Sequence, residues 1–481
     1  MKSKKVIGII SLIIGLILLI FCFTAGSVGI GSSGFGIRKA ILLTISILLI
    51  STGLILFLSM LDKNIKDHYF FSFISKQPVI VYLLLGFFIA HVIFFTIPIF
   101  LNPQLRMQFP AYVDLRQRGN GSDLMTIIDS CRSWIVNNQT PYFASNIYPP
   151  FTWLFFIPFI FLSFLSAYTV FIIMGLICLL ITTILIPINI FKGKENTSAF
   201  LAFCFITGLF SYGFQFELER GQFNLIAFTF CLLAIYIFHY KKKYRLIAYG
   251  LLTISIQLKI YPAIFALLFI EDWGDWKANL KRLSGLFVLN FLMLFILGFN
   301  KFIEFINVTK GYALEPSKGM WVGNHSISSF FSMLASSTQL QFLNENGWYL
   351  PFLSYLILFA SILFVVYLGF KQKREGLNTD LLLVCAIGAL IIPSLSHDYT
   401  LSILPAVIAI ALCGLPIYDD SLRNAIQKII ILIVSFAYSS TLFSYTNKPL
   451  SIGNNFPELM ILLVSFVVLA AMRNKRWIRE K

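Results

Sequence analysis

The chain of 481 residues is 58% hydrophobic and 12% charged, more apolar material than one core can bury, which excludes a soluble globule. Its formal net charge of +16 could suit nucleic acid. The basic residues, however, stand in short turns between apolar runs and make no basic face, so no nucleic-acid partner is expected and a multi-pass membrane protein is.

In chain order, apolar runs of about 17–25 residues, long enough to cross a hydrocarbon layer of about 30 Å, recur at residues such as 6–25, 40–60, 78–100, 222–240, 283–299 and 349–370. The whole chain is expected to be all-α, with about 12–13 transmembrane helices. The first run lacks a clean cleavage site and reads as a retained anchor. Residues 1–76 read as an accessory transmembrane hairpin and residues 77–481 as the core.

The basic groups orient the chain by the positive-inside rule. Lys2, Lys4 and Lys5, then Lys241, Lys242, Lys243 and Arg245, then Lys277, Lys281 and Arg282, then Lys371, Lys373 and Arg374, and finally Arg473, Lys475, Arg476 and Arg479 are expected in the cytoplasm, with both termini. Three crossings then place residues 101–147 outside as the first exterior loop, the largest polar segment of the chain. Within it, residues 122–138 read as an amphipathic helix with Leu124, Ile127, Ile128, Cys131 and Ile135 on one stripe. The stretch 149–221 should begin and end outside yet shows three apolar runs where an even number is required. Either the turn at 192–195 is exterior and a re-entrant pair follows it, or one run does not cross. Further on, Lys259, Ile260, Tyr261 and Pro262 mark a helix break near the outer surface.

Charges at membrane depth are expensive, so each needs a reason. Five groups stand at the outer ends of apolar runs: Asp123; the run Glu217, Glu219, Arg220, Gly221, Gln222 and Asn224; Lys259; Gly323 through Ser326, including Asn324 and His325; and Ser396, His397 and Asp398. Arg, Lys, His and Asn donors beside a carboxylate suit an anionic phosphate together with a hydroxyl to be deprotonated. Each group also has a structural reading. Asp123 could cap a helix after the Gly-rich turn, Arg220 and Glu219 could form an ion pair at a helix end, and Lys259 could snorkel. Residues 323–326 could be a plain turn, His397 and Asp398 a satisfied interfacial pair, and Tyr148 with Pro149 and Pro150 a helix start. Of seven cysteines only Cys131 lies in a polar segment; no disulfide framework or metal-ligand spacing is found, and neither metal nor cofactor is expected.

The series Asp123, Pro141, Tyr142, Tyr148, Pro149, Pro150, then Gly221, Gln222 and Asn224, then Lys259 and Pro262, then Gly323, Asn324 and Ser326 resembles the motifs of glycosyltransferase family 87 over residues 78–415. These are polyprenol-phosphate-mannose-dependent mannosyltransferases of the GT-C fold. The resemblance implies that Asp123 is the general base and that Lys259 and His397 lie near the donor phosphate. The sequence departs from the pattern at Ile127 and Ile128, where the family shows an aromatic pair, and at His325, where it shows glutamine. A second acidic residue, Asp129, follows on the same helix.

The resulting expectation is an inverting transfer of a sugar, mannose by resemblance, from a polyprenyl-phosphate donor to an exterior lipid or glycan hydroxyl in the cell membrane. Asp123 would act as base, and Arg220, Gln222, Asn224, Lys259, Asn324, His325 and His397 would bind donor phosphate or substrate, with Asp129, Glu219 and Tyr148 as secondary candidates. Two other classes fit the composition: a transporter or flippase, which would carry matched halves and midplane charges, and a ligase or polymerase of lipid-linked glycans.

Overall fold

The computed structural model describes residues 121–142, 146–191, most of 201–270, then 272, 274–313, 324–337, 349–372 and 377–414, with scattered helical positions between 10 and 49 and Ser465. The chain falls into two compact units, Met1–Gln108 and Phe109–Lys481. The runs at 78–100 and the turn at 192–195 lie outside the described residues, as do Gly323 and most of the first two runs. The expected domain boundary at residue 76 also lies outside them.

Among the described residues of the second unit, helices account for the regular structure, joined by one isolated antiparallel bridge between Asn324 and His397. Helix α1 is Ser122–Asn137. Its stripe of Leu124, Ile127, Ile128 and Cys131 is buried as expected, whereas Ile135 is exposed at the far end. Helix α2, Pro150–Phe156, starts on a proline and runs into a 3₁₀ turn, Ile157–Phe161. Helix α3, Phe164–Ile190, contains one π turn at Ile181–Leu185 and is long and apolar enough to cross a membrane.

Within the stretch 149–221, α2 lies along α1. Cys131 Sγ donates to the Trp153 carbonyl at 3.4 Å and Arg132 Nη2 to the Ile160 carbonyl at 3.3 Å, so both halves of the α2 segment are tied along α1. Twelve residues span only about 20 Å, short of a crossing of about 30 Å. The segment at 150–161 is therefore too short to cross such a layer, one of the two alternatives for this stretch; residues 192–200 lie outside the described residues.

Helix α4, Tyr212–Arg220, and helix α5, Asn224–Tyr240, meet at 115°. The corner follows from Gly221, whose φ of 67° closes α4 with a paired C-terminal motif: Gly221 N–H donates to Leu218 O and Gln222 N–H to Glu217 O. Glu217 then accepts the Leu225 N–H at 2.7 Å, placing a carboxylate at the positive end of α5. A short basic turn joins α5 to α6, Arg245–Leu258, which packs back along it, with Ser255 Oγ donating to Ala227 O at 2.6 Å. After Lys259 the chain continues as a 3₁₀ segment, Tyr261–Phe269, with Pro262 at its start, so the expected break is present but its second half is not an α-helix.

Helix α7, Trp276–Met293, begins where Asp275 accepts the Ala278 N–H. The apolar run at 283–299 is thus divided: α7 stops at Met293, a turn leads to Gly298 with φ of 90°, and α8, Phe299–Ala313, follows. Helices α9, Ile327–Ser337, and α10, Tyr349–Gln372, come next; the stretch Pro351–Leu368 within α10 is a second segment fit to span. Helix α11, Thr379–Ile391, is buried on every side, as is most of α5, and a 3₁₀ turn, Asp398–Ile403, leads into α12, Leu404–Gly414.

Candidate functional site

The site forms where the amino end of α1 docks on the carboxyl end of α4. Gly121, with φ of 67°, donates its N–H to the Glu219 carbonyl at 2.7 Å. Gly221 lies so close to α1 that an added Cβ would come within 2.7 Å of Leu124 Cβ and 3.3 Å of Gly121 Cα. Two glycines thus let two backbones touch, and the contact brings Asp123, in the first turn of α1, to Arg220, in the last turn of α4. Gly121, not Asp123, occupies the capping position, so the carboxylate of Asp123 is directed elsewhere.

Its Oδ1 pairs with Arg220 Nη2 at 2.6 Å, the two side chains keeping 20% and 14% of their surface exposed. Its Oδ2 accepts from Gln222 Nε2 at 2.6 Å, and the same nitrogen lies 3.3 Å from the Tyr148 hydroxyl. Gln222 Oε1 in turn accepts from Lys259 Nζ at 3.0 Å. The ammonium sits among three rings, 4.3 Å from the centre of Phe223, 4.5 Å from Tyr148 and 5.6 Å from Tyr399. Such faces stabilise a cation removed from bulk water. Burial, with the Asp123 charge second, raises the Tyr148 phenol, which stays protonated at neutral pH.

Several interactions hold this frame. Thr152 Oγ1 donates to the Gln257 carbonyl at 3.0 Å and fixes α2 against the end of α6 beside Lys259. Tyr261 donates its hydroxyl to the Asn224 carbonyl at 2.8 Å. Burial pushes the Cys131 thiol up to about 11, so it acts only as a packing group and weak donor toward Trp153. Beyond α1, Thr140 donates to Glu304 on α8, whose carboxylate also meets Lys301 at 2.9 Å.

A second cluster holds the segment before α12. Asn324 Oδ1 accepts the Ser396 N–H at 2.9 Å, Asn324 Nδ2 donates to Ser394 O at 2.7 Å, and His325 N–H donates to Ser396 O at 2.7 Å. The His325 imidazole is bonded to the Asp398 carboxylate, both buried. Asn324 and His325 therefore grip the backbone that carries His397 and Tyr399. Asp398 pairs with His325, and the ring of its neighbour His397 leans edge-on to Tyr399 at 5.3 Å.

Between these clusters lies a cavity of about 660 Å³. Tyr148, Lys259, His397 and Tyr399 stand at its polar part, and Ile260, Ala263, Ile264, Gly388, Ala389 and Ile392 give it apolar walls; Asn224 also lines it. Of the expected site residues, the fold gathers Asp123, Arg220, Gln222, Tyr148, Lys259 and His397. Glu219 contributes its carbonyl to Gly121, and Asp129 faces outward on α1 in a 3.2 Å pair with Arg132, away from the cluster. Sequence reasoning missed Tyr399 and Phe223 around the ammonium and the bond from His325 to Asp398. No local pattern marks an aromatic that becomes a wall only when distant segments meet.

The arrangement is a carboxylate braced by a guanidinium and an amide, with an ammonium beyond it at the head of an apolar cavity, in an all-helical membrane protein. The chain belongs to glycosyltransferase family 87, whose model matches residues 146–393. It is therefore a membrane glycosyltransferase. Arg220, Gln222, Asn224, Lys259, Asn324 and His325 fall within the matched span, whereas Asp123 lies before its start and His397 just past its end. Comparison with curated proteins and with solved structures gave no match.

Proposed function

We propose that the chain transfers a hexose, mannose by family resemblance, from a polyprenyl-phosphate donor to the hydroxyl of a lipid or glycan outside the cytoplasm. The observation that carries this reading is the joining of Asp123, Arg220, Gln222 and Lys259 in one hydrogen-bonded row whose Lys259 end opens on an apolar cavity. A lipid-linked phosphate matches such a site: its charge meets Lys259 and His397, and the first part of its hydrocarbon chain occupies the space between the 3₁₀ segment after Lys259 and α11.

Asp123 accepts the proton of the acceptor hydroxyl as that oxygen attacks the anomeric carbon. A free alcohol is too weak an acid to ionise beforehand, so proton transfer belongs in the transition state. Lys259, His397 and Arg220 stabilise the charge that gathers on the departing phosphate. With one base and no second carboxylate required as nucleophile, a single displacement with inversion is the simplest course. The basic turn between α5 and α6 lies at the opposite end of that helix pair from Gln222 and Lys259, which supports a site facing outward.

The test is incubation of purified protein with radiolabelled polyprenyl-phosphate mannose and a total lipid extract. Labelled product from the native chain, lost by about a thousandfold in a folded Asp123→Asn variant, is the expected result. Near-native turnover by Asp123→Asn removes Asp123 from the role of base. No transfer from any lipid-phosphate sugar overturns the proposal and favours transport.

A further inference from the structure

The cavity and the carboxylate do not share a wall. Tyr148, Lys259, His397 and Tyr399 line the cavity, and Asp123, Arg220 and Gln222 are not among its lining residues. The Gln222 side chain stands between the two sides, with the residue only 5% exposed. It accepts from Lys259 through Oε1 and donates through Nε2 to Asp123 and toward Tyr148. Charge sets this orientation: turned over, the amide would aim its NH₂ at an ammonium and its oxygen at a carboxylate.

We infer that Gln222 is a positioning residue, a neutral spacer that keeps the base Asp123 and the phosphate-binding Lys259 apart at the separation an in-line displacement needs. The inference rests on the proposed sugar transfer and deepens it: the donor comes to the Lys259 side through the cavity, the acceptor comes to Asp123 from the other, and the amide touches neither. Removing the spacer lets ammonium and carboxylate close into a direct ion pair, in which each neutralises the other's field. The acceptor proton would then meet a weaker base and the departing phosphate a weaker cation. In the step itself the acceptor O–H proton passes to Asp123, the bond from acceptor oxygen to anomeric carbon forms, and the bond from that carbon to the phosphate oxygen breaks with its electron pair left on the phosphate.

The charged and titratable groups that face Asp123 are Arg220 from α4, Tyr148 from the loop before α2, Lys259 after α6, and His397 and Tyr399 from the segment before α12. Among these the carboxylate has no acidic neighbour at hydrogen-bond distance, and Gln222→Glu supplies one without changing side-chain length. Two carboxylates that close retain one proton between them. The acid limb of kcat against pH is therefore expected to move upward by about one unit or more in Gln222→Glu. Gln222→Ala is expected to lose about a hundredfold in kcat while the KM for polyprenyl-phosphate mannose stays within about threefold.

A Gln222→Ala variant with raised donor KM and native kcat overturns the inference, because it makes Gln222 a donor contact. So does a Gln222→Glu profile that superimposes on the native one. The isosteric Glu variant keeps the test open if the Ala variant does not fold. Failure of the native chain to transfer sugar from lipid phosphate refutes the proposed function instead, so the two failures are distinguishable.

Discussion

Arg220 meets Asp123 at 2.6 Å from the end of a different helix, and Gln222 takes the other carboxylate oxygen, so the proposed base is engaged on both oxygens before substrate arrives. The acceptor hydroxyl displaces the guanidinium from one carboxylate oxygen, and Arg220 then meets the charge that develops on the departing phosphate. Arg220→Ala is expected to lower kcat by about a hundredfold or more. Arg220→Lys should recover little, because a point charge cannot serve a carboxylate and a phosphate in one plane as a guanidinium does. Steady-state rates with radiolabelled donor check this, and a Lys variant at native rate contradicts it.

The touching glycines make a second prediction. Gly221 has positive φ and its added Cβ would strike Leu124, whereas Gly250 in α6 has open space around it. Gly221→Ala is expected to destabilise by about 1–3 kcal/mol and to reduce transfer by displacing Asp123 from Arg220. Gly250→Ala should be neutral or stabilise by about 0.5–1 kcal/mol. Thermal unfolding in detergent, alongside activity, separates the two.

At Gly388 the cavity wall depends on a missing side chain. A Cβ there would lie 2.7 Å from Ile264 Cδ1 and 3.2 Å from Ile392 Cδ1, and Gly388, Ile264 and Ile392 all line the cavity. Gly388→Leu is expected to raise the KM for a long-chain donor about tenfold with a smaller change in kcat. An unchanged KM would show that the donor chain runs elsewhere.

Glu304 supplies a pH-dependent contact. Partial burial alone would raise its carboxyl, but the Thr140 hydroxyl and the Lys301 ammonium outweigh burial and hold it below its usual value of 4.5. A carboxyl lowered by folding binds its proton more weakly in the folded chain, so its stabilisation is present above that usual value and lost as pH falls through the folded one. Because the carboxylate is partly exposed, Glu304→Gln should lower Tm at neutral pH by only about 1 °C, with the two chains converging as pH falls below the carboxyl's lowered value.

Much of this architecture is written in local pattern. The amphipathic stripe of α1, the helix break at Lys259 with Pro262, the limits of α5 and the gathering of polar groups at helix ends all depend on hydropathy period, glycine and proline, which act over a few residues. Pairing does not. That Arg220 meets Asp123, that Asp398 meets His325, and that Gln222 separates a carboxylate from an ammonium all follow from the contact of Gly121 with Gly221 and from the bridge between Asn324 and His397. The sequence alone determined a helical membrane chain and the residues available for chemistry, because burial and backbone preference are properties of short segments. Only the tertiary structure decided which charges meet, because at membrane depth a charge is satisfied by whichever partner the packing of distant helices brings within hydrogen-bond reach.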